Sequence, residues 1–236
     1  MWKGLMLVAA LMLGAPAMAQ HQPQQRDPFN GKFGAYEIAF PPAEALHQAQ
    51  LMSDALAALP AQRPGVMDVY VLAAAFWADP VFEREASQAA DILAQRLGAV
   101  GHTIVLTNGA GVPERRFPAA SPEHFQAALG RIGALIDPNE DLVAVFITSH
   151  GSSDGNVAIL EPNRLASALR PANLRDSLAA AGVRNRLVIV SACFSGAFIA
   201  PLMDPNTVIL TAAAPDRTSF GCQPNREWTY FGDAYF

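Results

Sequence analysis

The stretch Leu142-Val-Ala-Val-Phe-Ile-Thr-Ser149 contains no charged residue and is followed at once by His150 and Gly151. A second stretch of the same kind, Leu187-Val-Ile-Val-Ser-Ala192, is followed at once by Cys193. Short uncharged runs that are rich in Val, Ile and Leu are typical of strands buried on both faces of a parallel sheet. The sequence therefore predicts two strands, each of which ends beside a residue that can do chemistry.

The rest of the chain alternates between the same strand pattern and helical periodicity. Further strands are predicted at Met67–Phe76, His102–Thr107 and Thr207–Thr211, and helices at Pro42–Leu59, Asp79–Leu97, Ser121–Ile136 and Asn163–Ala180. Strands that alternate with helices over this length predict a three-layer α/β/α sandwich with a mostly parallel sheet.

The N-terminus has the three-part pattern of a secretory signal peptide. Residues 1–19 hold Lys3, an apolar run, a Gly-Ala-Pro break and then Ala17-Met18-Ala19. A membrane anchor is the competing interpretation, but the run is shorter than the roughly 20 residues that span a bilayer. We therefore expect an exported protein, periplasmic or extracellular, without a membrane partner after cleavage.

The predicted boundaries follow from these patterns. Residues 1–19 are predicted to form the signal peptide and residues 20–66 an N-terminal extension with one helix. Residues 67–236 are predicted to form a single domain of ordinary length. The chain has 16 basic and 21 acidic residues and a net charge of −5. Nucleic acid is therefore not the expected partner, because proteins that bind it usually carry a basic surface.

The two cysteines of the chain, Cys193 and Cys222, allow two interpretations. In an oxidising compartment a disulfide between them is the simpler one. The alternative is a nucleophilic thiol at Cys193, because this residue follows a strand of an α/β sheet, where ligands bind.

His150 and Cys193 are predicted to face one substrate. The carboxyl ends of neighbouring parallel strands lie about 4.8 Å apart, so residues that follow two such strands come together. A thiolate is a strong nucleophile and an imidazole delivers a proton near neutral pH. Gly151 has no side chain, so its N–H and that of Cys193 could together form an oxyanion hole.

Other chemistries fit the sequence less well. Neither Ser191 nor Ser195 lies in the Gly-x-Ser-x-Gly frame of a serine hydrolase. The five histidines are scattered and no Cys-x-x-Cys occurs, so no metal site is predicted, and no other cofactor is expected.

Four motifs resemble the legumain branch of the caspase-like cysteine peptidases, peptidase family C13, in an exported form of the bacterial type. They are Ser149-His150-Gly151, 191–196 with Cys193, 211–222 and 229–233, and they occur in the family's order. The resemblance implies a caspase-like fold and a Cys193–His150 dyad. It further implies that His150 acts on the leaving amine, while Gly151 and Cys193 supply the oxyanion hole.

The same resemblance implies a substrate pocket that accepts asparagine and, less readily, aspartate. Arg84 resembles the pocket arginine of legumains and Asp233 one of the two pocket acids, while Ser191 stands where the other acid is expected. Two structural alternatives remain: Arg84 lies on a solvated face between Glu83 and Glu85, and Asp233 caps a helix.

We therefore expect an exported cysteine endopeptidase that acts on peptide or protein substrates through an acyl-enzyme. A transpeptidase of the same fold and a noncatalytic binding module are the alternatives. The chain stops at Phe236, directly after the pocket motif, where members of the family continue with a helix; this predicts truncation at the C-terminus.

Overall fold

The computed structural model describes residues 41–109, 115–162 and 164–236. The predicted signal peptide lies outside the described residues, so its assignment stays a prediction. The helices are α1 Pro42–Ala58, α2 Pro80–Leu97, α3 Pro122–Gly133, α4 Pro171–Ala180, α5 Ile199–Leu202 and α6 Tyr230–Tyr235, with a 3-10 turn at Ser195–Phe198. The strands are β1 Val69–Ala75, β2 Thr103–Thr107, β3 Leu142–Thr148, β4 Val157–Glu161, β5 Leu165–Leu169, β6 Asn185–Ser191 and β7 Thr207–Thr211.

Five of the strands form one parallel sheet in the order β2-β1-β3-β6-β7. All carboxyl ends therefore lie at the same edge. The other two strands, β4 and β5, form an antiparallel hairpin that follows β3 in the chain. The predicted α/β fold class is confirmed by this mostly parallel sheet with helices packed against it.

Both faces of the sheet are buried, which explains the continuous apolar runs in the sequence. In β1 the side chains of Tyr70 and Leu72 join one hydrophobic cluster with α1, α3 and α4. Val71 and Ala73 point the other way and pack against α2. Alanines on the α2 side of the sheet and on α2 itself bring the helix close to the strands.

Proline and glycine mark the ends of α2. Pro80 occupies the first turn, where the missing N–H costs no helical hydrogen bond, and Asp79 precedes it in extended conformation. The helix ends at Gly98, whose φ of 70° lies in the left-handed region that favours glycine. The helix predicted at Asp79–Leu97 thus has nearly the predicted bounds.

The helix predicted at Asn163–Ala180 is wrong in its first half, because residues 165–169 form β5. The observed helix begins at Pro171. A residue before proline is pushed out of the α region, and Arg170 accordingly has φ −86° and ψ 150°. The chain upstream therefore pairs with β4 instead of extending the helix.

In the part of the chain that the structure describes, no helix combines the length and apolar character needed to cross a bilayer.

Two glycines of α3 offer a matched test of the packing. A Cβ at Gly133 would overlap the carbonyl oxygen of Ala181, whereas a Cβ at exposed Gly130 meets no atom within 4 Å. We expect Gly133→Ala to lower the free energy of unfolding by about 1–3 kcal/mol through overpacking. Gly130→Ala should raise it by about 0.4–1 kcal/mol, because alanine favours the helix. Urea unfolding of both variants measures the difference, and equal values would contradict the packing described here.

Candidate active site

Residues His150 and Cys193 lie side by side because of the register of β3 and β6. Thr148 is the register partner of Ser191, and the two strands run parallel. The pairing extends beyond the strands, since the Ser149 N–H donates to the Ser191 carbonyl at 3.2 Å. His150 and Cys193 each follow two residues later, so they occupy matching positions at the same edge of the sheet.

The imidazole of His150 is held between two aromatic rings and an acid. The rings of Trp77 and Phe82 meet it edge-on, with centroid distances of 4.9 and 5.1 Å. Its Nε2 lies 3.6 Å from Oδ2 of Asp79, and both side chains are about two-fifths exposed. The ring is therefore restrained in orientation while one part of it still faces solvent.

The thiol of Cys193 lies against the backbone of Ser219. The Ser219 N–H donates to Sγ at 3.2 Å, and the Ser219 carbonyl oxygen lies 3.7 Å from Sγ. A neighbouring hydrogen bond, from the Phe194 N–H to the Arg217 carbonyl at 2.7 Å, holds the same two segments together. These contacts fix the position of the sulfur beside the Ser219 backbone.

Both cysteines are free thiols, so the disulfide interpretation does not describe this structure. Cys222 differs chemically from an ordinary thiol. Burial raises the pKa of Cys222 to about 11, and negative charge at Cys193, Glu85 and Asp79 acts in the same direction. Cys222 therefore stays protonated at neutral pH and is a poor nucleophile.

Gly151 is packed against the backbone of Cys193. A Cβ at this position would overlap the Cys193 carbonyl oxygen, so any other residue would push the two strands apart. Gly151 also forms a bridge with Val157 of β4, through hydrogen bonds made by its neighbours Ser152 and His150. In such a non-hydrogen-bonded pair the N–H of Gly151 points away from β4. This orientation suits the predicted oxyanion hole.

The backbone turns sharply directly after Cys193. Phe194 has φ 57°, and within the described ranges no other residue except glycine has a positive φ. Such strain in a non-glycine residue is uncommon and concentrates at functional sites. The turn leads into the 3-10 turn at Ser195–Phe198 and the four-residue α5, which are too short to supply a strong helix dipole at the thiol.

Behind His150 and Cys193, Ser191 takes part in a buried cluster of hydroxyl groups around Glu85. The Glu85 side chain has no exposed surface and accepts hydrogen bonds from Thr148, from Thr229 at 2.5 Å and from Ser191 at 3.3 Å. Burial raises the pKa of Glu85, and the three hydroxyl donors act against that rise. An acid thus lies beside Ser191, although it comes from α2 and not from the position before Cys193.

The other two predicted pocket residues, Arg84 and Asp233, have partners of different kinds. Arg84 donates to the Pro224 carbonyl at 2.6 Å and to the Arg226 carbonyl at 3.2 Å, so its guanidinium is engaged by backbone. Asp233 lies 3.7 Å from the guanidinium of Arg226 and is well exposed. It lies inside α6, whose cap is Thr229, so the capping alternative for Asp233 is wrong.

Asp79, Glu85 and Ser219 contact the site but were given no role from the sequence. A signal for Glu85 did exist: it falls on the apolar face of α2, three residues after Phe82 and one before Ala86. An acid that interrupts an apolar stripe has to find buried hydrogen-bond donors. Ser219 acts through its backbone, for which a sequence carries no signal.

The chain was compared with known proteins. The model of the peptidase C13 family matches residues 123–236. No curated protein matches the chain. Among solved structures, the crystal structure of caspase-1 from Spodoptera frugiperda matches with a TM-score of 0.46 and 14% identity, over 75% of this chain and 73% of that chain.

The matched region begins in α3 and includes β3, β6 and the segment that follows them. It therefore contains three of the residues that meet at the sheet edge: His150, Gly151 and Cys193. The match confirms the resemblance that the motifs indicated. Residues 123–236, just under half of the chain, are therefore similar to the peptidase C13 family.

Proposed function

We propose that the protein is a cysteine endopeptidase in which Cys193 is the nucleophile and His150 its proton donor and acceptor. The observation that carries the proposal is the register of β3 and β6, which brings the two residues to matching positions at one edge of the sheet. The peptidase C13 match supports the reaction class. Export, as the first nineteen residues predict, is part of the proposal.

In the first step the Cys193 thiol gives its proton to His150, and the sulfur attacks the carbonyl carbon of the scissile peptide bond. An S–C bond forms, and the carbonyl electron pair moves to the oxygen. The N–H groups of Gly151 and Cys193 stabilise this oxyanion. The C–N bond then breaks as His150 gives a proton to the leaving amine, which leaves an acyl-enzyme.

In the second step water attacks the acyl-enzyme and gives its proton to His150. The S–C bond breaks as His150 returns that proton to the sulfur, which restores the Cys193 thiol, and the product acid leaves and loses its remaining proton to solvent. An amine that replaces water at this point would give transpeptidation. Mass analysis of products formed with an added amine-terminated peptide distinguishes the two outcomes.

The nucleophile is tested by comparing Cys193→Ala with Cys222→Ala. We expect Cys193→Ala to lower kcat/KM on a peptide library by roughly 10,000-fold or more, since a lost nucleophile cannot be replaced. Cys222→Ala should keep its activity, because its thiol is not part of the reaction. Retained cleavage in Cys193→Ala would sink the assignment.

Alkylation gives a second, independent test that needs no substrate. With a pKa of about 11, the Cys222 thiolate fraction at pH 7 is about one in 10,000. Iodoacetamide should therefore label Cys193 of the folded protein at pH 7, and label Cys222 appreciably only as the pH approaches 11. In denaturant Cys222 should react near the ordinary thiol pKa of about 8.5. In a noncatalytic module Cys193 would be labelled at pH 7 no faster than an ordinary exposed thiol with a pKa of about 8.5.

Asp79 is expected to make a small contribution by orienting His150. The two groups are 3.6 Å apart and partly exposed. Exposed ion pairs are worth about 0.2–1 kcal/mol, so Asp79→Asn should lower kcat/KM by roughly fivefold or less. Asp91→Asn, which changes an exposed acid on the same helix, is the control. A loss of 100-fold or more would show that the acid does much more than orient the ring.

For substrate preference we propose asparagine over aspartate before the cleaved bond. Asp79 and Glu85 are acids whose charge opposes ionisation of the Cys222 thiol, and the Arg84 guanidinium is engaged by carbonyl groups. An acidic substrate side chain would meet repulsion from these acids, while the Arg84 guanidinium already has partners. In a library that varies this position, aspartate should gain relative to asparagine as the pH falls towards its own pKa of about 3.9. Stronger cleavage after aspartate at pH 7 would overturn this preference.

A further inference from the structure

One face of α2 contacts the candidate active site with three side chains spaced three residues apart. Asp79 lies at its start beside His150, Phe82 meets the His150 ring, and Glu85 follows on the same face. Residues at this spacing lie one above another along a helix. The first two contact the dyad directly, so the third is a candidate for a role in the same site.

Glu85 connects the two strands that carry the dyad. Its carboxyl group accepts hydrogen bonds from Thr148, the last residue of β3, and from Ser191, the last residue of β6. These two residues are register partners. His150 and Cys193 each lie two residues further on. The strand pleat therefore directs their side chains towards the same face of the sheet as Thr148 and Ser191.

A third donor connects Glu85 to the C-terminal segment. Thr229, which caps α6, donates to Oε1 of Glu85 and also accepts the N–H of Gly232 at 3.2 Å. A Cβ at Gly232 would overlap that same oxygen of Glu85. Residues of β3, β6 and α6 with its cap thus enclose the carboxyl group of Glu85.

Packing alone does not account for an acid at this position. The neighbouring residues of the α2 face, Phe82, Ala86 and Ala89, are apolar and fully buried. An apolar side chain would continue that face without the cost of removing a carboxyl group from water. An apolar residue would not, however, supply a hydrogen-bond acceptor that Thr148 and Ser191 share.

We propose that Glu85 is a positioning residue that fixes the relative placement of His150 and Cys193 by holding the ends of β3 and β6 from α2. This inference rests on the proposed function and names a residue that acts through its contacts to the strand ends. Loss of the acceptor would let the two ends shift independently. Displacement of reacting groups by about 1 Å can cost roughly 100-fold in rate.

The test compares Glu85→Ala and Glu85→Gln with two controls in the full chain. Glu85→Gln keeps the volume and one acceptor oxygen. Asp91→Asn changes an exposed acid of the same helix, and Leu129→Ala creates a cavity in α3 on the other side of the sheet. For each protein kcat, KM, the midpoint of thermal unfolding and the rate of Cys193 alkylation are measured.

We expect Glu85→Ala to lower kcat by about 100-fold with little change in KM, and to slow alkylation of Cys193. Glu85→Gln should recover about tenfold of that loss, because it keeps one hydrogen-bond acceptor. Leu129→Ala should unfold at a lower temperature but keep its kcat per folded molecule. Asp91→Asn should match the wild type.

The proposal is overturned if Glu85→Ala only lowers the unfolding temperature while its kcat per folded molecule stays at the wild-type value. A raised KM at unchanged kcat would also overturn it, because that result indicates substrate binding. If Glu85→Ala does not fold, Thr148→Val takes its place; it removes the donor on β3 at nearly constant shape, and unchanged kcat would be decisive against positioning. Failure of the proposed function looks different: the wild type itself would then show no cleavage, and its Cys193 would be alkylated no faster than an ordinary exposed thiol.

Discussion

The parallel pairing of β3 with β6 is the constraint on which the candidate site depends. Backbone hydrogen bonds set Thr148 opposite Ser191, and the pairing continues to Ser149. Because side chains alternate along a strand, a slip of one residue would turn either His150 or Cys193 to the other face of the sheet. The buried apolar side chains on both faces make such a slip costly, so the core of the protein also protects the geometry of the dyad.

Close backbone contact also restricts the geometry around Cys193. Gly151 leaves no room for a Cβ beside the Cys193 carbonyl, and Phe194 accepts a left-handed conformation directly after the thiol. Ordering Gly151 costs conformational entropy, and the backbone of Phe194 is strained. The stability of the surrounding buried strands offsets both costs. As a result, the chain turns away from the sheet directly after Cys193 and its thiol accepts the Ser219 N–H, while Cys222 remains a partly buried, protonated thiol.

Much of the fold was predictable because its signals are local. Apolar runs with little charge marked the five strands of the main sheet, and helical periodicity marked α2 and α3, each of which begins at a proline. The β4–β5 hairpin was missed since its strands are short and Leu165-Ala-Ser-Ala-Leu169 suits either helix or strand. Residues 165–169 form a strand because they pair with β4 and because Pro171 begins α4 after them. Neither cause can be seen in these five residues alone.

The sequence by itself determined the alternation of strands and helices and the placement of His150, Gly151 and Cys193 after two of the strands, because strand ends and motifs are encoded locally. Only the tertiary structure decided what surrounds the dyad. It placed Asp79 beside His150, the Ser219 N–H at the thiol and Glu85 beneath both strand ends, over separations of 26 to 106 residues. The physical reason is that each of these contacts joins elements far apart in the chain, and residue type alone does not specify which buried donor an acid will find.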